Sequence, residues 1–132
     1  AGAQDTCIIS VPVLKAHTIA GVTLTMKNML GFAPPAFYDA GGWKKSAFHS
    51  NIQQKILDLN RHRTPDLTVL DAASGMPKGH LGGPTCSPPV NRILAGFDPV
   101  AVDARGCGHL GKDPYSIDHI ASADGLLGQI AR

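Results

Sequence analysis

Residues Asp66 to Pro84 read DLTVLDAASGMPKGHLGGP. Behind the breaker Pro65, Leu67-Thr68-Val69-Leu70 is a short apolar, β-favouring run with turn signals on both sides. That pattern fits a buried strand better than a helix, which needs more length. The strand leads into Asp71 and a loop holding four glycines, Lys78 and His80. Glycines let backbone N–H groups approach a ligand closely, and the lysine and histidine add charge and a titratable ring. In an open α/β sheet, ligands bind beyond the carboxyl ends of the strands, where this loop would lie.

Outward from that stretch, other strands and helices alternate. Cys7 to Leu14 reads as a first strand, with Pro12 at an edge or a bulge because it cannot donate to a ladder. Lys15 and His17 follow at its carboxyl end. Gly21 to Gly31 is open between a short helix and a turn-rich loop, and carries Lys27 and Asn28 inside an otherwise apolar run. Residues 32–45 hold Pro34-Pro35 and Gly41-Gly42 and form a long linker or lid. Ser46 to Arg63 is the clearest helix, with Phe48, Ile52, Ile56 and Leu59 on one stripe. A third strand is Arg92 to Gly96. Asp98-Pro99 and Asp113-Pro114 each place an N-cap before a proline at the first helical position. The first of these helices should run to Leu110 and stop at Gly111, the second should cover Tyr115 to Ala123. Gly106 and Gly108 inside the former call for close packing against another element.

This alternation predicts an α/β fold: a small, largely parallel sheet flanked by helices. Residues 1–132 make one domain, with a glycine-rich site loop over 72–89. Only three strands are recognisable, so a fragment of a longer domain, or a partner chain that completes the sheet, is expected.

Composition narrows the function classes. With 43% hydrophobic and 17% charged residues the chain has the balance of a folded globular protein. A net charge of +2, dispersed basic residues and 5% aromatic content argue against nucleic acid. No apolar run approaches the ~18 residues of a membrane span, and no signal peptide is visible. Cys7, Cys86 and Cys107 are odd in number and widely spaced, which points to a reducing, cytoplasmic setting rather than a disulfide framework.

The segments SVPVLKAHTIAGVTLTMKNMLG (10–31), PDLTVLDAASGMPKGHLGGP (65–84) and ILAGFDPVAVDA (93–104) resemble, in order and spacing, the family called domain of unknown function 362. Many members carry a ferredoxin-like module for [4Fe–4S] clusters, so the resemblance implies a redox association and a ferredoxin-like module or partner. The cysteine run of that module is absent from this chain, and cluster binding is not carried over. Family domains also extend further at the amino end, which again implies a fragment. A remoter similarity links the chain to the amino-terminal domain of the nickel-cofactor lactate racemase family.

The residue types support a provisional site. Lys15 and His17 either bind an anion or act as a base, or simply mark where a strand surfaces. Lys27, between Met26 and Met29, must snorkel to water or meet a partner. Partial desolvation would lower its pKa and suit it to proton transfer or carbonyl chemistry. Asn28 can hold a carboxylate or terminate the helix. Asp71 can orient His80 or bind a cation, whereas Asp98 is first an N-cap. Asp103 within its helix needs a partner, with Lys27, Lys15 or Arg105 available. Lys78, Gly79, His80, Gly82 and Gly83 form a candidate phosphate cradle that matches neither the P-loop nor the dinucleotide fingerprint. A single divalent metal could draw on His17, His80, Asp71 and Cys86, although no two lie at helix-face ligand spacing. Cys107 reads as a small buried hydrophobe, and His49, His62, His109 and His119 as ordinary helix residues.

The expectation is a domain that binds a small anionic metabolite at the carboxyl edge of its sheet. Lys27 and His80 would be catalytic; Lys15, His17, Asn28, Asp71, Lys78, Gly82 and Gly83 would bind substrate. The alternative is a non-catalytic domain docking to an iron–sulfur electron-transfer partner.

Overall fold

The computed structural model describes residues 6–38 and 46–123. Strand β1 (Ile9–Ser10) and strand β2 (Val13–His17) are two parts of one run, and both lie parallel against β4 (Leu67–Met76). β3 (Gly21–Thr23) folds back antiparallel on β2, pairing Ala16 with Val22, and β5 (Arg92–Gly96) pairs antiparallel with the other side of β4. The result is a mixed five-stranded sheet with a parallel centre, in an α/β fold. Pro12 sits at the break between β1 and β2. Lacking an N–H, it still accepts a hydrogen bond from the Asp71 N–H at 2.9 Å. Immediately beyond, Val13 aligns with Asp71 but Lys15 with Met76, so β4 bulges between them. Gly75 lies in that bulge at φ +78°, and a Cβ there would fall 3.0 Å from Leu14 and 3.1 Å from the Cys86 sulfur.

Two strands are longer than their local propensity suggests. β2 runs on through Lys15 and His17, and β4 through Asp71 to Met76, so the glycine-rich loop begins at Pro77 rather than at 72. Ala72, Ala73 and Ser74 are weak strand formers. They are held by tertiary bonds, the N–H of Cys86 donating to Gly75 and that of Asn91 to Ala73.

The helices settle on one face. In β2 and β4, Leu14, Ala16, Leu70 and Ala72 point into the core, while Ile9, Val13 and Ile93 remain 56%, 48% and 72% exposed on the other face. Full burial of Leu14 or Leu70 contributes about 1.5–3 kcal/mol each. α3 (Ile52–His62) is shorter than the helix expected from Ser46, because Asn51 adopts φ 55° and separates it from a 3-10 turn over Ser46–Phe48. Phe48, Ile52 and Ile56 are buried as the stripe predicts, with Leu57 and Asn60 beside them. The Asn60 amide donates to the carbonyls of Met26 and Ile56 at 2.9 and 2.8 Å and ties this helix to α1 (Thr25–Asn28).

α4 (Pro99–His109) follows its local signals. The Asp98 carboxylate accepts from the N–H groups of Val100 and Ala101, and Gly111 follows the helix at φ +66°. Gly106 is packed, since a Cβ would lie 3.0 Å from Leu70 and 3.1 Å from Leu24, whereas Gly108 faces open space. Asp113 caps a 3-10 turn over Pro114–Ser116, and residues 118–123 are helical. Within the linker, Pro35–Tyr38 forms the short helix α2, and residues 39–45 lie outside the described residues, as do Gly125 and Gly128. No described helix is long and apolar enough to cross a membrane.

Candidate functional site

Because β2 and β4 are parallel, the end of β2 and the loop leaving β4 emerge on one edge of the sheet. His17 is the last residue of β2, and His80 comes from the loop after β4. Their rings stack with centroids 4.1 Å apart and planes inclined by 16°. Nδ1 of His17 accepts hydrogen bonds from the N–H groups of Ile19 and Ala20 at 3.2 and 3.1 Å. A neutral ring held this way carries its proton on Nε2. Burial first, and then the charge on Lys27, hold the His17 pKa down at about 4. His17 is therefore a fixed, neutral hydrogen-bond donor near pH 7. The role of general base, considered from the sequence, does not suit it.

Lys27 and Asn28 stand on α1, whose first turn is held from outside. The buried carboxylate of Asp103 accepts from the backbone N–H groups of Thr25 at 2.8 Å and Met26 at 2.9 Å. This answers which partner Asp103 takes: two backbone donors rather than Lys15, Lys27 or Arg105. Burial raises its pKa to about 7 against the pull of those two bonds. Asn28 donates from Nδ2 to the Ser10 hydroxyl at 3.0 Å, linking α1 to β1. Burial and then the Lys15 charge lower the Lys27 pKa, and burial, Lys27 and Lys15 do the same to His80.

These side chains line an open cleft of about 310 Å³, near the lower end of the volumes typical of small-molecule sites. His17, Lys27, Asn28 and His80 come together there, and Leu30, Phe48 and Ile52 form apolar walls. His49 also lines the cleft. The sequence reading passed over it as a helix residue, and only the turn before α3 brings it in. His119 was passed over too. It is fully buried, its Nδ1 bonded to the Gln53 side chain, with burial and then Lys27 holding its pKa down at about 4.

The other expected residues are placed differently. Lys15 is half-buried in β2 and acts on the cleft through its charge. Asp71 does not orient His80: it sits within β4, exposed, and accepts from the Ala73 N–H at 2.9 Å. Lys78 is exposed, and neither it nor Gly82 nor Gly83 lines the cleft. Lys78, Gly79, Gly82 and Gly83 lie beyond the end of β4 at Met76, and none of them is among the described residues lining the cleft. Among the described residues no group of three or more His, Cys, Asp or Glu is placed to hold a metal ion. A smaller cavity of about 220 Å³ lies between α3 and α4, lined by Leu57, Asn60 and Val100 among others, and does not share this cluster of rings.

Comparison with curated proteins and with solved structures found no match. Residues 3–108 match the family described as Domain of unknown function (DUF362), and the chain, matched over most of its length, belongs to that family.

Proposed function

We propose that the chain binds a small anionic metabolite in the cleft at the carboxyl edge of its sheet, as an enzyme domain working within a redox system. One observation carries the reading. The cleft gathers Lys27, three imidazoles and the Asn28 amide, and no carboxylate is among the described residues that line it. A concave site with cationic and hydrogen-bond-donating groups and apolar walls is suited to an anion. His17 would donate from Nε2, Lys27 and Lys15 would supply charge, and His80 or Lys27 would move a proton. Three free cysteines accord with a cytoplasmic setting.

The test is a thermal-shift screen of the chain against phosphates, nucleotides, carboxylic acids and divalent metals. A ligand present at 100 times its Kd adds about 2.7 kcal/mol and should raise Tm by several degrees. An anion that raises Tm, with the rise lost in Lys27→Ala, supports the reading. A flat screen on folded protein refutes it.

A second reading is favoured by the uncovered sheet face. Parallel strands are ordinarily covered on both faces. Here Ile9, Val11 and Val13 point outward, 48% to 63% exposed, where a solvated face would carry polar residues. In this reading the chain docks a ferredoxin-like module through that face, and association with such a module is abolished by Val11→Asp.

A further inference from the structure

We propose that Lys27 forms an imine with its ligand and that the ligand class is a small 2-oxo carboxylic acid, an inference that rests on the anion-binding reading above. Burial first, and then the Lys15 charge, favour the uncharged form of the Lys27 amine, the form that attacks a carbonyl. The described residues lining it include no carboxylate, and the buried acid touching α1, Asp103, is committed to the N–H groups of Thr25 and Met26. Neither salt bridge among the described residues involves Lys27. Leu30, Phe48 and Ile52 make the walls beside it apolar. Desolvation together with a neighbouring cation, here Lys15, is how a lysine is turned into a nucleophile at neutral pH.

The rings supply the remaining functions. The Lys27 amine attacks the ketone carbon, the carbon–nitrogen bond forms, and the carbonyl electron pair moves to oxygen. His17, fixed by Ile19 and Ala20 with its proton on Nε2, donates a hydrogen bond to that oxygen. The nitrogen gives up its two protons in turn to His80, which passes each on to the oxygen. Protons returned to the oxygen let it leave as water while the carbon–nitrogen double bond closes. Amine and ketone become imine and water, with no oxidation or reduction. A carboxylate next to the ketone accounts for the Lys15 charge, which lies close enough to act on His17, Lys27 and His80 alike.

The experiment uses pyruvate as the probe. The chain is incubated with pyruvate, treated with sodium borohydride, which reduces an imine to a stable secondary amine, and mapped by peptide mass spectrometry. The expected result is a pyruvate-dependent adduct on Lys27 in preference to the exposed Lys78. In Lys27→Arg the adduct should be lost, and lactate, which has no ketone, should form none on the unaltered chain. An adduct spread evenly over the lysines, or none, overturns the inference. If lactate or phosphate raises Tm and no adduct forms, the imine fails while the anion cleft stands. If no anion raises Tm and no adduct forms, both fail. The mapping on the unaltered chain does not depend on any variant folding.

Discussion

The Asp103 carboxylate accepts a hydrogen bond from the Thr25 N–H at 2.8 Å, joining helix α4 to the first turn of α1 across 78 residues of chain. A second bond, from Met26 at 2.9 Å, completes the cap. A four-residue helix cannot sustain itself in isolation, so α1 depends on this external acceptor to present Lys27 and Asn28.

Replacing Asp103 by Ala leaves two buried N–H groups unpaired. The expected loss is about 2–5 kcal/mol, read from urea denaturation midpoints. Asp103→Asn keeps one acceptor and should lose less. A change within about 0.5 kcal/mol for the alanine variant would show that the cap contributes little.

Stability should rise with pH between about 5 and 6.5. His17 and His119 have folded pKa values of about 4 against an ordinary 6.5, so the unfolded chain binds their protons first. Their contribution is complete above 6.5 and is lost as pH falls through 4. Asp103, raised from 3.8 to about 7, works in the opposite sense: its contribution is complete below 3.8 and is lost as pH rises through 7. Two histidines against one carboxylate leave a net slope of at most about 1.4 kcal/mol per pH unit, and the lowered His80 adds to it in the same sense. In Asp103→Asn the opposing group is gone and the slope should steepen. Urea midpoints over this range decide it, and a slope that stays flat in both proteins would contradict the assignment.

Two glycines on one helix should respond with opposite signs. A methyl at Gly106 meets Leu70 and Leu24 at 3.0–3.1 Å, and overpacking of this kind costs about 1–3 kcal/mol. Gly108 meets nothing, so Gly108→Ala should be neutral or gain up to about 1 kcal/mol from helix propensity. Thermal unfolding of the two single variants is sufficient, and equal shifts would rule out the packing argument.

Two of the three thiols should separate cleanly. Cys107 is fully buried, and burial followed by the Asp103 charge pushes its pKa up to about 12. Cys7 is exposed. A thiol reagent at pH 8 should label Cys7 at once and Cys107 only after unfolding. Prompt labelling of Cys107 in native protein would refute this.

What could be read from sequence was what local physics decides. Asp98-Pro99 and Asp113-Pro114 announce their caps within three residues, and both formed. The helix from Ser46 was read too long because one residue, Asn51, turns left-handed, and no pattern of apolar spacing reports that. β3 is three residues long and exists through its pairing with β2, so it stayed hidden in Gly21 to Gly31. The outer half of β4 stayed hidden for the same reason, since Ala72 and Ser74 extend only because Cys86 and Asn91 return to bond there. The site followed the same division. His17, Lys27, Asn28 and His80 stood out as polar groups at strand ends or in apolar runs, and the topology gathers them. Asp71 and Lys78 were chosen by adjacency in sequence: Asp71 is held within the extended β4, and Lys78, just past its end, is exposed. His49 carried no local signal at all.

One consequence follows from β4 being the common neighbour of β1, β2 and β5. An opening of the ladder that frees β4 dissolves three pairings together and leaves only the short β2–β3 pairing of the sheet. The amides of Leu70 and Asp71, inside that ladder, should exchange with deuterium only through global opening and at one shared rate. Those at the turn after β2 should exchange through smaller local openings. The cleft thus joins the most slowly opening strand of the domain to loops that open more readily, and a ligand bridging His17 and His80 would slow exchange in the loops first.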